Sequence, residues 1–263
     1  MLASDLKRKL REGYRALGTM MTFDFWPGYL EAFQKMGLDF VLLDCEHGAA
    51  TFREIEELCR TARLVGLPAI LRPEACDFPL IRKYTDLGPA GLLLPWIETQ
   101  EQLDIVRNAT FQPPRGRRGW GGPVIQAANG VDRPSIDEYE QSLLLIAQIE
   151  TPVGVERCEQ IVTCPWIDGL MMGPYDLSVN LGSVPEVNQE RQVKLTRRVI
   201  QACRDAGKPC GQMVADPDTA KRWYQEGMSF LIYGEISFLA QNALKSAVAT
   251  VRSTAKEGGL HVA

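Results

Sequence analysis

Leu38-Asp-Phe-Val-Leu-Leu-Asp-Cys-Glu-His-Gly48, followed after two alanines by Thr51-Phe-Arg-Glu-Ile-Glu-Glu-Leu-Cys-Arg-Thr-Ala-Arg-Leu-Val65, decides the fold, because the hydrophobic period changes inside it. Leu38–Leu43 is a short apolar run that suits a strand buried on both faces. From Thr51 the apolar residues Ile55, Leu58, Cys59 and Ala62 recur at i, i+3, i+4 and i+7, as one face of a helix requires. Thr51 and Glu54 have the spacing of a capping box, which marks where that helix starts. The unit is therefore strand, polar turn, helix.

Working outward, the unit recurs eight times, with strands expected near Leu17–Met21, Leu38–Leu43, Leu67–Leu71, Ala90–Leu94, Leu143–Ile149, Ile167–Met172, Pro209–Val214 and Ser229–Tyr233. A second helix start is marked by Thr151-Pro152, a threonine cap followed by a proline whose missing N–H is harmless in the first turn. Strict alternation of strand and helix implies parallel pairing, since each crossover helix returns the chain to the same end of the sheet. The α/β class follows, and eight strands suit a closed (β/α)8 TIM barrel better than an open doubly wound sheet. Periodicity alone leaves the open sheet as the alternative, because buried parallel strands look alike in both. With 263 residues and no linker or repeat, one barrel domain over residues 1–263 is expected. The exception to the alternation is Thr110–Gln141, rich in proline, glycine and arginine and with little periodicity, which is expected to be a long loop serving as a lid or subunit contact.

The composition, 45% hydrophobic and 24% charged, supplies a sizeable core, and a net charge of −4 gives no reason to expect nucleic acid as a partner. The N-terminal segment alternates apolar and charged residues, unlike a signal peptide, and no run has the length of a membrane span. Seven cysteines without Cys-x-x-Cys pairs fit neither a disulfide framework nor a zinc cluster. A cytoplasmic protein without membrane attachment is expected.

Active sites of such barrels are assembled just after the C-terminal ends of the strands. Strand two ends in Asp44-Cys-Glu-His47, strand three in Arg72-Pro73, strand five in Glu150-Thr151 and strand six in Gly173-Pro-Tyr-Asp176, so ionisable groups cluster on one rim. Glu150 and Asp176 are hard oxygen donors suited to a divalent cation. Either acid alone reads equally well as the cap of the helix that follows it. His47 and His261 are the only histidines, and His261 lies next to the chain end, so His47 is the candidate acid–base group. Cys45 as a nucleophile with His47 as its base is the alternative, although no third group orients the pair. None of the nine lysines stands at a strand's C-terminal end, which disfavours an imine route.

Phe40-Val-Leu-Leu-Asp-Cys-Glu-His47, Leu71-Arg-Pro73, Gly91-Leu-Leu-Leu-Pro95, Pro113-Pro-x-Gly-x-Arg-Gly119, Gln148-Ile-Glu150 and Asp168-Gly…Gly173-Pro-Tyr-Asp-Leu-Ser178 together resemble the HpcH/HpaI family of class II pyruvate aldolases. The resemblance runs from about residue 10 to 250. It implies an aldehyde-lyase that reversibly cleaves a 4-hydroxy-2-oxo acid to pyruvate and an aldehyde through a metal-stabilised enolate. Glu150 and Asp176 would hold the divalent metal ion, Mg²⁺, Mn²⁺ or Co²⁺. Gln148, Gly173, Tyr175 and Asp176 would contact substrate, with backbone amides at Tyr175 and Asp176 receiving the pyruvate carboxylate. The catalytic set would be His47 as base, Arg72 beside the enolate oxygen, and Asp86, which raises the basicity of the histidine.

Two stretches depart from the pattern. Thr22-Phe-Asp-Phe-Trp26 is bulkier than the serine-rich stretch that follows strand one in familiar members, and Gly234-Glu-Ile-Ser-Phe238 carries an acid where an apolar residue is expected. Both concern the aldehyde side. Relatives that make citrate for siderophores supply a second reading, a citrate-synthase-like condensing enzyme on the same scaffold. Finally, Asp86 is expected in the last turn of a helix from about Phe78 to Leu87, against the helix dipole and at the face opposite the active site. If the family role holds, Asp86 serves the His47 of a neighbouring subunit, and the enzyme is a homo-oligomer.

Overall fold

In the computed structural model, residues 3–122, 136–182 and 190–257 are described. Eight parallel strands close into a barrel in sequence order: β1 Ala16–Met21, β2 Phe40–Asp44, β3 Ala69–Arg72, β4 Gly91–Leu94, β5 Leu144–Ile149, β6 Gly169–Met172, β7 Cys210–Val214 and β8 Phe230–Glu235. β1 pairs with both β2 and β8, so the open sheet is ruled out.

The helices are α1 Ala3–Arg11, α2 Gly28–Lys35, α3 Phe52–Val65, α4 Phe78–Asp86, α5 Gln100–Thr110, α6 Ile136–Ser142, α7 Pro152–Glu156, α8 Cys158–Thr163, α9 Pro174–Asn180, α10 Glu190–Asp205, α11 Pro217–Glu226 and α12 Ile236–Glu257. Thr51 caps α3 in a complete capping box, and Gly66 closes that helix at φ 71°, a conformation that disfavours a side chain. Thr151 caps α7 with Pro152 in its first turn, as expected. No described helix is long and apolar enough to cross a membrane.

Side-chain alternation along the strands divides the core in two. Phe40, Leu42, Ile70, Leu93, Leu144, Ile146, Met171, Phe230 and Ile232 fill the barrel interior, and Leu6 and Leu10 of α1 pack with them. Val41, Leu43, Leu71, Leu94, Leu145, Ile149 and Met172 instead face the helices.

The loop expected over Thr110–Gln141 is corrected at its end by α6, whose seven largely polar residues are too few to display a helical period. Tyr139 donates to the Thr85 carbonyl at 2.8 Å, and Glu140 accepts from Arg118 at 3.1 Å, so α6 is tied beneath α4. Residues 123–135 of that stretch, and His261, lie outside the described residues.

Candidate active site

The mouth of the barrel continues the inward parity of the strands. On β2, Phe40 and Leu42 point inside, and two residues further the same face carries Asp44. On β3, Ile70 is followed by Arg72, and Asp44 and Arg72 are partners in register. On β5, Leu144 and Ile146 lead to Gln148 and then Glu150. A period of two residues thus moves each strand from apolar filling to chemistry at the same end.

Asp44 is fully buried and accepts hydrogen bonds from the Thr22 hydroxyl at 3.0 Å, the Glu46 backbone N–H at 3.1 Å and Arg72 Nε at 2.8 Å. Burial alone would raise its pKa, but the bond and charge of Arg72, helped by Thr22, hold its carboxyl below the usual range. Arg72 Nε also lies 3.3 Å from Glu46 Oε2. Burial disfavours its charge, yet Asp44, Glu46 and Glu150 together keep the guanidinium firmly protonated. The result is a fixed, pre-oriented cation at the mouth.

Glu150 is 1% exposed, and both of its oxygens are directed by donors. Oε2 accepts from Gln148 Nε2 at 2.5 Å, and Oε1 accepts from the backbone N–H of Trp96 at 2.8 Å. Trp96 has φ 54°, a left-handed conformation that is costly for a bulky residue. Its indole Nε1 donates to Glu46 Oε1 at 2.8 Å, so Trp96 links the loops after β2, β4 and β5. Burial pushes Glu150 up to about 8; the Trp96 N–H and Arg72 oppose the rise, whereas the carboxylates of Glu46 and Asp176 add to it. Gly173 closes the other side, where an added β-carbon would stand 2.6 Å from Glu150 Oε2 and 3.0 Å from Gln148 Nε2. The Oε1 of Gln148 is buried and has no hydrogen-bond donor among the described residues.

Asp176 sits half-buried in the first turn of α9. Asn180 donates to the Asp176 carbonyl at 2.9 Å and the Glu150 carbonyl at 3.3 Å, which ties α9 to the end of β5. At the start of this helix the N–H groups of Tyr175 and Asp176 have no acceptor one turn back, as at any helix N-terminus.

His47 is exposed and lines a cavity of about 450 Å³ with Phe23, Asp24, Phe25, Trp26 and Glu54. Cys45 has the opposite parity and is buried in the outer layer, where burial pushes its thiol up to about 12. That orientation removes the nucleophile alternative. Lys208 is bound by the carbonyls of Cys164 at 2.8 Å and Ile167 at 2.6 Å, beside the N-terminal ends of β6 and β7 and away from the mouth.

Asp86 ends α4, at the opposite face of the barrel. It is paired with Arg118 at 2.9 Å, and Arg118, 4% exposed, also donates to Glu140 at 3.1 Å and to the Thr110 carbonyl at 2.7 Å. Burial raises the Asp86 carboxyl while Arg118 and Arg82 oppose it. The chain therefore brings His47, Arg72, Gln148, Glu150, Gly173 and Asp176 to one end and leaves Asp86 at the other.

Three residues at the mouth were given no role from the sequence, Asp44, Glu46 and Trp96, and a fourth, Glu235, was noted only as a departure from the pattern. Counting parity from Phe40 would have found Asp44. Trp96 carries no such signal, because its contribution is a backbone N–H. Glu235, 1% exposed, accepts from the backbone N–H groups of Ser237 at 2.9 Å, Phe238 at 3.1 Å and Thr22 at 3.4 Å. The unexpected acid after β8 thus joins the loops after β1 and β8.

The model of the family described as HpcH/HpaI aldolase/citrate lyase matches residues 25–243. The chain is 32% identical over 262 residues to 2-keto-3-deoxy-L-rhamnonate aldolase of Salmonella dublin, covering 96% of this chain and 95% of that protein. The crystal structure of an HpcH/HpaI aldolase from Desulfitobacterium hafniense DCB-2 superposes with a TM-score of 0.86 at 28% identity, covering 94% of this chain and 96% of that one. Citrate synthase SbnG superposes with a TM-score of 0.84 at 22% identity, covering 95% and 98%, which shows a shared barrel. With its rim residues, its closed barrel and a family match over most of its length, this chain belongs to the HpcH/HpaI aldolase/citrate lyase family and is an enzyme of the aldolase type.

Proposed function

We propose that the protein is a metal-dependent pyruvate aldolase that reversibly cleaves a 4-hydroxy-2-oxo acid to pyruvate and an aldehyde. The observation that carries this reading is the buried Glu150, raised to about 8, set among Gln148, Gly173 and Asp176 and facing the charge of Arg72. These residues fit a divalent cation. Burial, with the nearby charges of Glu46 and Asp176, raises Glu150 for want of a compensating cation, and the buried Gln148 Oε1 lacks a hydrogen-bond partner among the described residues. No group of three or more His, Cys, Asp or Glu side chains is placed to hold a metal ion by itself among the described residues. That suits Mg²⁺ or Mn²⁺ held by one or two carboxylates, with substrate and water completing the shell, better than an all-protein cage. Co²⁺ would fit the same donors. Bound there, the cation would act as a Lewis acid on the keto group of pyruvate.

The chain's own residues supply the rest. The N–H groups of Tyr175 and Asp176 receive the pyruvate carboxylate. Arg72, locked by Asp44, donates to the oxygen on which negative charge develops, at no cost of reorganisation during the reaction. In cleavage His47 takes the proton of the 4-hydroxyl, the C3–C4 bond breaks to release the aldehyde, its electron pair forms the pyruvate enolate, and the proton held by His47 is then delivered to C3 to give pyruvate. Condensation reverses each step. Asp86 of a neighbouring subunit would raise the basicity of His47, which makes the active form a homo-oligomer.

Pyruvate incubated in D₂O with the protein and Mg²⁺ is expected to exchange its methyl protons and to stop in excess EDTA, as followed by proton NMR. Exchange that survives EDTA and is trapped by borohydride would replace this reading with imine chemistry. Turnover of acetyl-CoA plus oxaloacetate without pyruvate exchange would favour the condensing enzyme.

A further inference from the structure

The loop after β1 and the start of α12 put three large rings at the mouth: Phe23 is 60% exposed, Trp26 62% and Phe238 55%. Apolar faces are costly to leave in water, and a contiguous set beside a cavity marks a binding surface. These rings are held in place. Buried Glu235 accepts from the N–H groups of Thr22, Ser237 and Phe238, and Phe23 meets Phe238 edge to face with ring centres 6.0 Å apart. Trp26 packs edge to face on Tyr29 at 5.2 Å, and its indole lies across Gly28, where no β-carbon would fit.

We propose that the cavity beside His47 is the acceptor subsite and that it takes a neutral aldehyde bearing an aromatic or branched apolar substituent. The proposal rests on the aldolase reading above. His47 must reach the acceptor oxygen, and it lines the same cavity of about 450 Å³ as Phe23, Phe25 and Trp26, so the substituent on the carbonyl carbon falls among those rings. Among the described residues the charged groups lining it are two carboxylates, and no Lys or Arg joins them. Asp24 accepts from the Tyr29 hydroxyl at 2.9 Å and the Trp26 N–H at 3.2 Å, while Glu54 is engaged by Thr51 at 2.8 Å. Among the described residues of one chain neither acid is paired with a Lys or Arg. An aldehyde with a second carboxylate is repelled, and the rings offer few partners to a polyhydroxylated one.

In the synthetic direction the methyl carbon of pyruvate gives a proton to His47 and, as the enolate carbon, forms the new bond to the aldehyde carbon. The π pair of that carbonyl moves to its oxygen, which takes a proton from His47. The product is a 4-hydroxy-2-oxo acid whose substituent at C4 is the aromatic group, and no other reactant is needed.

The test compares kcat/KM for benzaldehyde, succinic semialdehyde and glyceraldehyde as acceptors with pyruvate and Mg²⁺. Benzaldehyde is expected to be favoured on the order of tenfold or more, the discrimination an apolar pocket supplies. Phe23→Ser and Gly28→Ala, the latter displacing the Trp26 ring, should lower the ratio of benzaldehyde to glyceraldehyde, mainly through KM for benzaldehyde. A merely structural role would move both acceptors together. Wild-type preference for either polar aldehyde overturns the proposal, as does an unchanged ratio in both variants. A change of oligomeric state at constant ratio, read by light scattering, would overturn it by assigning the rings to a subunit contact. Wild-type deuterium exchange into pyruvate separates the two readings: exchange without aromatic preference sinks only the acceptor assignment, and its absence sinks the aldolase reading and this proposal with it.

Discussion

Glu150 shows how one residue converts burial into chemistry. Its carboxyl is raised from the ordinary 4.5 to about 8, so the folded protein holds a proton there that the unfolded chain has already lost. The sign of the linkage follows: between those two values, rising pH lowers the stability of the cation-free protein, and above about 8 the effect is complete. A cation that needs the carboxylate must displace that proton. Apparent affinity for Mg²⁺ or Mn²⁺ is therefore expected to rise roughly tenfold per pH unit below that point and to level off above it. Calorimetry in two buffers of different ionisation heat should show about one proton released per cation at neutral pH. Binding that is independent of pH and releases no proton would mean that Glu150 is not a ligand.

At the scale of elements, the site depends on strand ends that stop in the right place. β6 ends at Met172, and Gly173 lets the chain pass so close to Glu150 and Gln148 that a β-carbon would stand 2.6 Å from the Glu150 oxygen. Gly173→Ala is expected to strain the buried end of β5, since the added carbon would also stand 2.7 Å from Glu150 Cβ, and to weaken cation and pyruvate binding on the order of tenfold or more, as metal-site supporting shells do. Circular dichroism and calorimetric titration would check the two halves of that statement. Retained affinity would show that the mouth relaxes around the methyl group. The loop after β4 belongs to the same scale, because the left-handed Trp96 delivers its N–H to Glu150 while its own carbonyl accepts from Gln102 of α5 at 2.8 Å.

For the whole molecule the open question is whether one chain makes a complete site. Asp86 lies at the barrel face opposite His47, and Arg118 neutralises it locally. That ion pair by itself accounts for an acid in the last turn of α4, where the dipole disfavours one. A shared site requires in addition that the neighbouring subunit present its His47 to the remaining oxygen of Asp86. Mixing inactive His47→Ala and Asp86→Asn chains under subunit exchange should then restore part of the activity, since some sites would hold both native residues. Demonstrated exchange without recovery, or full activity in a monomer, would assign Asp86 to the Arg118 network alone.

Ile55, Leu58, Cys59 and Ala62, capped by Thr51 and Glu54, were legible because period and capping are interactions within one helix, and the eight strands were legible as apolar runs of matching length. Their count favoured a closed barrel, and the pairing of β1 with β8 decided it against the open sheet. His47, Arg72, Glu150 and Asp176 could be placed on one rim because a parallel barrel sends every strand's C-terminal end the same way. What the sequence by itself determined was therefore the alternation of eight parallel strands with helices and the end of the strands that carries chemistry, while closure was decided by the β1–β8 pairing. Only the tertiary structure decided that Asp44 locks Arg72, that Trp96 turns left-handed to reach Glu150, that Glu235 joins two loops, and that Asp86 meets Arg118. Each of those contacts joins residues 28 or more positions apart, and no local pattern records which distant donor meets which acceptor once the barrel closes.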